Sequence, residues 1–315
     1  MYVRGEDMNT QMAQNKNGQI NIVLSHKQDI SLAKHQTNDS FTNNGPFQLI
    51  YKHFSSFIGL ESLKKTVCEI YATHIMNEKR RTLGMKGTKQ VLHMFFKGNP
   101  GTGKTTAARK LAKLYYQMNI LSKGHFVEAE RADLVGEYIG QTAQKTRALI
   151  QKSLGGILFI DEAYSLARGG EKDFGKEAID TLVTHMEDNS DDLVIILAGY
   201  PYEMERFLHL NPGLTSRFPF ILDFDDYNAT ELLRIAKQMV RLREYELTKE
   251  AEEKLWHHLN EKIHAKERNF SNARYMRNVI ERSIRRHSIR LLRQNTYDFS
   301  DLVHIHPVDL SFEKA

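Results

Sequence analysis

A glycine-rich loop in the middle of the chain restricts what this sequence can fold into more than any other feature. It lies between an apolar run, residues 93–96, and a helical pattern that begins at Thr105. Glycines let a backbone approach phosphate oxygens closely, and the free N–H groups of a helix N-terminus attract anions. The pattern predicts a phosphate-binding loop between a strand and a helix; the alternative is a glycine-rich turn without a ligand. The loop residues are Gly98, Asn99, Pro100, Gly101, Thr102, Gly103, Lys104 and Thr105.

The last residues of this loop have side chains suited to a nucleotide and its metal ion. We expect Lys104 to reach the outer phosphates and the Thr105 hydroxyl to bind Mg²⁺. Thr106, in the first helical turn, completes the expected set of nucleotide contacts. Such a loop occurs in kinases, GTPases and ATPases alike, so it does not decide the reaction by itself.

Two adjacent carboxylates favour hydrolysis. The apolar run Ile157–Ile160 reads as a buried strand, and Asp161 and Glu162 follow it directly. Asp161 suits the metal ion, because Mg²⁺ prefers oxygen ligands. Glu162 can act as the general base that activates an attacking water. The alternative is that this pair only caps the following helix; a kinase would need an acceptor pocket here instead.

The distribution of apolar residues predicts an α/β domain followed by a helical one. Five short apolar runs alternate with amphipathic helical stretches between residues 47 and 226, which is typical of a mostly parallel five-stranded sheet. From residue 227 to 315 the strand signals stop, and apolar residues recur at helical spacing, which predicts a small helical lid. The apolar runs are residues 92–97, 125–129, 156–160, 193–198 and 220–224.

The polar N-terminal segment does not fit either domain. Residues 1–46 are rich in Asn, Gln, Ser, Thr and Lys and show no sustained period. Such a segment buries too little apolar surface to offset its ordering entropy, so it is expected to be a disordered arm. The alternative is an arm that orders when it docks on a partner.

Composition excludes several classes of protein. The 315 residues contain one cysteine, which rules out an intramolecular disulfide and a multi-cysteine metal site. No apolar stretch approaches the roughly 20 residues of a membrane helix, and the first residues do not resemble a secretory signal. We therefore expect a cytoplasmic protein without a membrane partner. The net charge of +5 is small for this length and does not require a nucleic-acid partner.

Together these motifs resemble those of the AAA+ ATPases. The likeness rests on the loop, the Asp161–Glu162 pair and the helical lid, and it covers about residues 47–295. Further segments resemble the branch that contains a sporulation protein and the red-type rubisco activases. The resemblance implies a P-loop AAA+ fold, hydrolysis of ATP with Mg²⁺, a homo-oligomeric ring of six subunits and a role in sporulation. The further segments are residues 134–142, 174–178, 197–200 and 272–274.

The resemblance also implies roles for residues outside the two motifs. Arg217 matches the arginine finger that a neighbouring subunit supplies to stabilise the transferring phosphate; the alternative is a structural arginine paired with a carboxylate. Arg274 matches the second sensor arginine, which reads the γ-phosphate, whereas the other arginines of its helix are expected to face solvent or an acidic partner. Tyr200 occupies the first sensor position or only caps its strand. Ile58 and Gly59 match the segment that contacts adenine.

Three residues after the second predicted strand match the loop that faces the central pore of AAA+ rings. These are Tyr138, Ile139 and Gly140. An aromatic side chain offers contact area without selecting a sequence, and the glycine gives the backbone freedom to move. The alternative is a tyrosine packed on its own domain.

Three functions follow from these features. The favoured one is a ring-forming ATPase that remodels a protein substrate, which the sequence does not identify. A loader-type ATPase that depends on nucleic acid is disfavoured, because the pore loop is not basic and no nucleic-acid-binding motif is present. A slow switch that binds ATP but scarcely turns it over is disfavoured by Glu162.

Overall fold

A computed structural model of the protein describes residues 45–88, 90–168, 173–265, 270–295 and 297–312. The expected N-terminal arm, residues 1–46, lies outside this range apart from its last two residues. None of the helices in these ranges has the length and apolar character needed to cross a membrane.

Five parallel strands form the central sheet in the order β2-β3-β4-β1-β5. The apolar runs form strands because both faces of the sheet are covered by helices, and every side chain of β3 is buried. Truncating one such side chain to alanine is expected to cost about 2–5 kcal/mol. The strands are β1 (Met94–Gly98), β2 (Phe126–Ala129), β3 (Ile157–Ile160), β4 (Val194–Gly199) and β5 (Phe220–Phe224).

Helices on the two faces of the sheet bury two separate apolar clusters. One cluster contains Phe96 and Phe159 from the strands and Leu111 from a helix. The other contains Phe95 and Leu158 from the alternate strand positions and Phe207 from a helix on the opposite face. The helices are α1 (Gln48–His53), α2 (Glu61–Thr82), α3 (Lys104–Gln117), α4 (Arg131–Leu134), α5 (Gln141–Ser153), α6 (Gly175–Asp188), α7 (Pro201–Leu210) and α8 (Pro212–Thr215), with a 3₁₀ helix at Ala163–Ala167.

The chain after β5 folds into a helical lid with its own apolar core. Asn228 begins the first lid helix, where its side chain accepts from the Glu231 N–H at 2.9 Å and forms a capping box. The lid helices are α9 (Ala229–Arg241), α10 (Lys249–His264), α11 (Asn272–Gln294) and α12 (Phe299–Val303).

The predicted fold is confirmed: a five-stranded parallel sheet precedes a helical lid. The lid also contains a parallel pair of two-residue strands, β6 (Glu246–Leu247) and β7 (His304–Ile305). This pair has no recognisable sequence signal, because two residues are too few to show an alternating pattern. In the main sheet, β3, β4 and β1 are neighbours, so the residues that follow them meet at one edge.

Candidate active site

A cavity of about 460 Å³ lies at the carboxyl edge of the sheet, between the sheet and the lid. Sequence segments that are far apart converge here: the phosphate-binding loop, the ends of β3 and β4, and the start of α11. The motifs identified separately in the sequence therefore line a single cavity. The lining residues are Pro100, Gly101, Gly103, Lys104, Thr105, Thr106, Arg109, Asp161, Glu162, Gly199, Tyr200, Ala273, Arg274 and Arg277.

The loop has the backbone conformation that its glycines permit. Gly101 and Gly103 have φ values of +74° and +97°, in the left-handed region that side chains disfavour. A Cβ atom at Gly101 would lie 2.3 Å from the Ser271 carbonyl oxygen. The lid therefore packs directly on the loop, and only glycine fits at this contact.

Lys104 is bound to the loop itself. Its Nζ donates to the carbonyl oxygens of Gly98 and Asn99 at 2.6 and 2.9 Å. Burial lowers the pKa of Lys104; Asp161 opposes this shift, and the positive charge of Arg274 adds to it. The two cations disfavour each other at short range, so an anion between them would relieve a repulsion.

The acidic pair lies where the buried strand β3 ends. Asp161 accepts from the Glu162 N–H at 2.9 Å, and Glu162 has a φ of +47°. A left-handed conformation is costly for a residue other than glycine and is often retained at functional sites. The Glu162 side chain is exposed to the cavity, where it can meet water.

Tyr200 begins α7 directly after β4. Its carbonyl accepts from the Met204 N–H at 2.9 Å, and its ring lies 6.0 Å from the ring of Tyr164. The residue therefore ends the strand and also lines the cavity beside Glu162. The two sequence-based alternatives, a strand cap and a sensor position, are compatible in this geometry.

The lid reaches the site through the first turn of α11. The Ala273 N–H donates to the Gly101 carbonyl at 3.2 Å, and Arg274 lines the cavity. Arg277 lines it as well, which corrects the expectation that the other arginines of this helix face only solvent or an acidic partner. Its spacing of one turn from Arg274 is the sequence signal that could have identified it.

Three further residues of the site were not singled out from the sequence. Tyr227, between the sheet and the lid, donates its hydroxyl to the Thr102 carbonyl at 2.9 Å, and burial raises its pKa to about 12. Arg109 lines the cavity and pairs with Glu128 at 2.9 Å. Asp226 accepts hydrogen bonds from the loop. No local pattern marks these residues, because their partners are distant in sequence.

Ile58 and Gly59 lie apart from the residues that line the cavity. Ile58 is buried, and Gly59 has a φ of +72°, with its α-carbon facing Tyr227 and Glu231. A Cβ atom at Gly103 of the loop would lie 3.4 Å from the Tyr227 hydroxyl oxygen. Tyr227 thus lies beside both this segment and the phosphate-binding loop.

Arg217 also lies outside the set of residues that line the cavity. Its Nη2 pairs with Glu187 at 2.8 Å and its Nη1 donates to the Gly213 carbonyl at 2.8 Å. The carboxylate partner that the alternative reading expected is therefore present in the same chain.

Tyr138 and Ile139 extend from the surface between α4 and α5. Their side chains are 68% and 90% exposed, and Gly140 has a φ of +82° at the start of α5. This exposure contradicts the alternative in which Tyr138 packs on its own domain. The residues at the base of this loop line a second cavity of about 680 Å³, which shares Asp161, Glu162 and Arg274 with the first.

A glycine-rich loop between a parallel strand and a helix, with an acidic pair after a nearby strand, defines the class of P-loop nucleoside triphosphatases. The chain belongs to the AAA family of ATPases. The family described as ATPases associated with various cellular activities matches residues 94–226, and the AAA lid domain matches residues 228–315. The protein is therefore an ATP hydrolase, as the sequence analysis predicted.

Similar proteins support the same assignment. The chain is 56% identical over 306 residues to stage V sporulation protein K of Bacillus subtilis (strain 168), with 95% of each chain covered. It is 44% identical to protein CfxQ of Xanthobacter flavus, covering 80% of this chain and 79% of that protein. It is also 44% identical to the chloroplastic ribulose bisphosphate carboxylase/oxygenase activase of Cyanidioschyzon merolae (strain NIES-3377 / 10D), covering 74% and 80%. The resemblance to this branch of the family is confirmed.

Proposed function

We propose that the protein is a ring-forming ATPase that uses ATP hydrolysis to remodel a protein substrate in the cytoplasm. One observation carries the proposal: the lysine of the loop, the acidic pair and the lid arginine line a single cavity. The shared cavity supports assigning Lys104 to phosphate binding, Glu162 to water activation and Arg274 to sensing the γ-phosphate. We place the border between the ATPase domain and the lid at residues 226 and 227, since Tyr227 packs in the lid core.

The loop and the lid provide the binding groups for ATP. The backbone N–H groups around Gly101 and Gly103 hold the phosphates, and Lys104 exchanges its bonds to the loop carbonyls for phosphate oxygens. The segment at Ile58 and Gly59 contacts the adenine. The oxygen ligands of Thr105 and Asp161 fit Mg²⁺, which when bound neutralises phosphate charge.

Glu162 is the general base of the reaction in this proposal. Its exposed carboxylate in the cavity takes a proton from water as the water oxygen attacks the γ-phosphorus. The bond from that phosphorus to the oxygen bridging the β-phosphate breaks, which releases ADP and inorganic phosphate. Tyr200 lies in the same lining and can hydrogen-bond the attacking water or the γ-phosphate, because a phenol both donates and accepts. Arg274 contacts the γ-phosphate and couples its presence to the position of the lid.

Arg217 completes the site of the next subunit in a ring. This role is supported by its place outside its own cavity and by the transition-state charge that a guanidinium stabilises, typically worth ~10³–10⁵ in rate. The family makes six subunits the expected number. A site shared between subunits requires assembly for full activity.

The exposed Tyr138 and Ile139 are proposed to face the central pore and to grip an extended polypeptide. Two large apolar side chains on a surface loop are costly in water and are typical of a contact surface. The name of the Bacillus subtilis relative supports a role in sporulation.

The test of this function is the ATPase rate per subunit against protein concentration, with light scattering for mass on the same samples. A rate that rises as a ring assembles is the expected result. A constant rate from a persistent monomer would contradict a shared site. In mixed assemblies, Arg217→Ala subunits should regain hydrolysis from Lys104→Ala subunits, which retain the arginine.

A further inference from the structure

Asn272 is a fully buried polar residue at the contact between the lid and the phosphate-binding loop. Its φ of +42° lies in the left-handed region, which asparagine tolerates better than most residues. Its Oδ1 accepts from the Tyr227 N–H at 3.0 Å, and its Nδ2 donates to the Asp226 carboxylate at 2.7 Å. Nδ2 also lies 3.1 and 3.4 Å from the carbonyl oxygens of Phe270 and Pro100. The amide is thus bound at both ends.

Asp226 joins this amide to the loop. Asn99 donates its Nδ2 to the two carboxylate oxygens of Asp226 at 3.0 and 2.9 Å. A single carboxylate therefore connects the phosphate-binding loop with the first residue of α11. We call the three residues Asn99, Asp226 and Asn272 the clasp.

The clasp determines where the first turn of α11 lies. Asn272, Ala273 and Arg274 are consecutive, and the Ala273 N–H donates to the Gly101 carbonyl at 3.2 Å. The Arg274 N–H donates to the Ser271 carbonyl at 2.9 Å, so the backbone that carries the arginine is fixed as well. Hydrogen bonds are directional, so these contacts restrict how the start of the helix can slide or rotate.

We propose that Asn272 is a positioning residue for nucleotide discrimination, because the clasp orients the start of α11 so that Arg274 meets the γ-phosphate. The inference rests on the function proposed above for Arg274. Asn272 itself touches no nucleotide. It changes the ratio of the affinities for a nucleoside triphosphate and a diphosphate, since only the triphosphate has the γ-phosphate that Arg274 contacts.

An isosteric substitution removes the hydrogen bond between positions 272 and 226 and keeps the shape of the side chain. Asn272→Asp keeps the acceptor for the Tyr227 N–H and tolerates the left-handed backbone, but it sets two carboxylates against each other at Asp226. The reversed pair, Asp226→Asn with Asn272→Asp, restores one amide and one carboxylate. In the reversed pair, the oxygen of the new amide at position 226 can still accept from Asn99. The carboxylate at position 272 cannot donate to the Phe270 and Pro100 carbonyls, so the reversed pair restores the contact between positions 226 and 272 but not these two.

The experiment measures the dissociation constants of Mg²⁺-bound adenylyl imidodiphosphate and ADP by calorimetry on the full chain at one protein concentration. The ratio of the two constants is the readout, and it does not depend on turnover. Arg274→Ala is expected to lower the preference for the triphosphate about tenfold, the effect of one hydrogen bond to a charged group. Asn272→Asp should lower it by a similar factor, and the reversed pair should recover part of it, because it restores the contact between positions 226 and 272. Combined with Arg274→Ala, Asn272→Asp should add nothing further.

A merely structural role gives a different result. If Asn272→Asp weakens both nucleotides equally, or if its effect adds to that of Arg274→Ala, the inference is wrong while the role of Arg274 stands. If Arg274→Ala leaves the ratio unchanged, the proposed role of Arg274 is wrong, and the inference about Asn272, which rests on that role, is overturned with it. Should Asn272→Asp not fold, Asn272→Gly suits the backbone and lacks the amide. A ratio lowered in that variant and partly recovered in the reversed pair supports the inference; an unchanged ratio overturns it.

Discussion

Arg217 and Glu187 form an ion pair in which Nη2 lies 2.8 Å from Oε1. The Nε atom of Arg217 is buried and makes no hydrogen bond among the described residues, and the Glu187 side chain is 63% exposed. The arginine proposed to act on a neighbouring nucleotide is thus held by its own chain at the end of α6. An ion pair with an exposed partner contributes little, typically 0–1 kcal/mol, so it does not prevent the guanidinium from moving to a phosphate.

This pair gives a prediction about turnover. Arg217→Ala should reduce the ATPase rate of assembled protein by about 10³-fold or more, because it removes stabilisation of transition-state charge. Glu187→Ala should change the rate less than about fivefold, since it removes only a weak ion pair. Steady-state phosphate release measures both. A loss in Glu187→Ala as large as that in Arg217→Ala would show that the ion pair itself is required.

Glu162→Gln should bind ATP with nearly unchanged affinity and lose turnover by about 10²–10⁴-fold, because an amide cannot accept the proton of water. Calorimetry with ATP and phosphate release on the same preparation separate the two effects. Glu137→Gln is the matched control, since Glu137 belongs to the lining of the adjoining cavity. Unimpaired turnover in Glu162→Gln would contradict its assignment as the base.

Gly101→Ala should weaken nucleotide binding more than about tenfold, because the added methyl group displaces the contact between the loop and the lid. A tenfold change corresponds to the loss of about one hydrogen bond to a charged group. The added Cβ would lie 2.3 Å from the Ser271 carbonyl oxygen and 2.8 Å from the backbone nitrogen of Arg274. Gly84→Ala is the control: its φ of +75° imposes the same strain, with no atom within 4 Å of the new Cβ.

Calorimetry and thermal unfolding distinguish these two glycines. Both variants should lose stability, by about 1–2 kcal/mol for the left-handed backbone. Only Gly101→Ala should lose nucleotide affinity. Equal affinity in the two variants would mean that the loop does not need its close contact with the lid.

His93 predicts a pH dependence of stability. Its imidazole is buried, with Nδ1 accepting from the Ile195 N–H at 3.0 Å and Nε2 donating to the Met186 carbonyl at 3.2 Å. Burial lowers the pKa of His93 from 6.5 to about 4. Between these values the unfolded chain binds a proton that the folded chain does not. The contribution of His93 to the free energy of unfolding should therefore be complete above pH 6.5 and should be lost as the pH falls toward 4, on the order of 3 kcal/mol in all.

Urea unfolding at a series of pH values tests this dependence. His93→Gln keeps a donor for the Met186 carbonyl and cannot titrate, so its stability should decline less steeply below pH 6.5. The exposed His257 provides the control substitution, since His257→Gln makes the same change of residue type at the surface and is measured on the same pH series. Parallel curves for His93→Gln and the parent would contradict the prediction.

Tyr138→Ala should abolish the stimulation of ATPase activity by an unfolded polypeptide, whereas Tyr138→Phe should retain it. The ring supplies the contact area with the polypeptide, and the hydroxyl is not required for that contact. The measurement is the ratio of the stimulated to the basal rate for each variant. Equal ratios in Tyr138→Ala and the parent would remove the tyrosine from the proposed gripping role.

The local motifs of the site could be read from the sequence because each is a continuous segment. The loop at residues 98–105 and the strand that ends at Asp161 and Glu162 have their backbone conformations set by their own residue types. The apolar runs also predicted the sheet, since buried parallel strands need continuous apolar residues.

The tertiary structure alone decided which distant residues meet. The clasp joins Asn99, Asp226 and Asn272, which lie in three different parts of the chain. Arg217 pairs with Glu187, which lies in a different element. Arg277 enters the cavity only because α11 begins against Gly101. Sequence periodicity reports which face of an element is buried but not which element covers it. Contacts between elements depend on the packing of the whole chain, and that packing brings the lid to the loop.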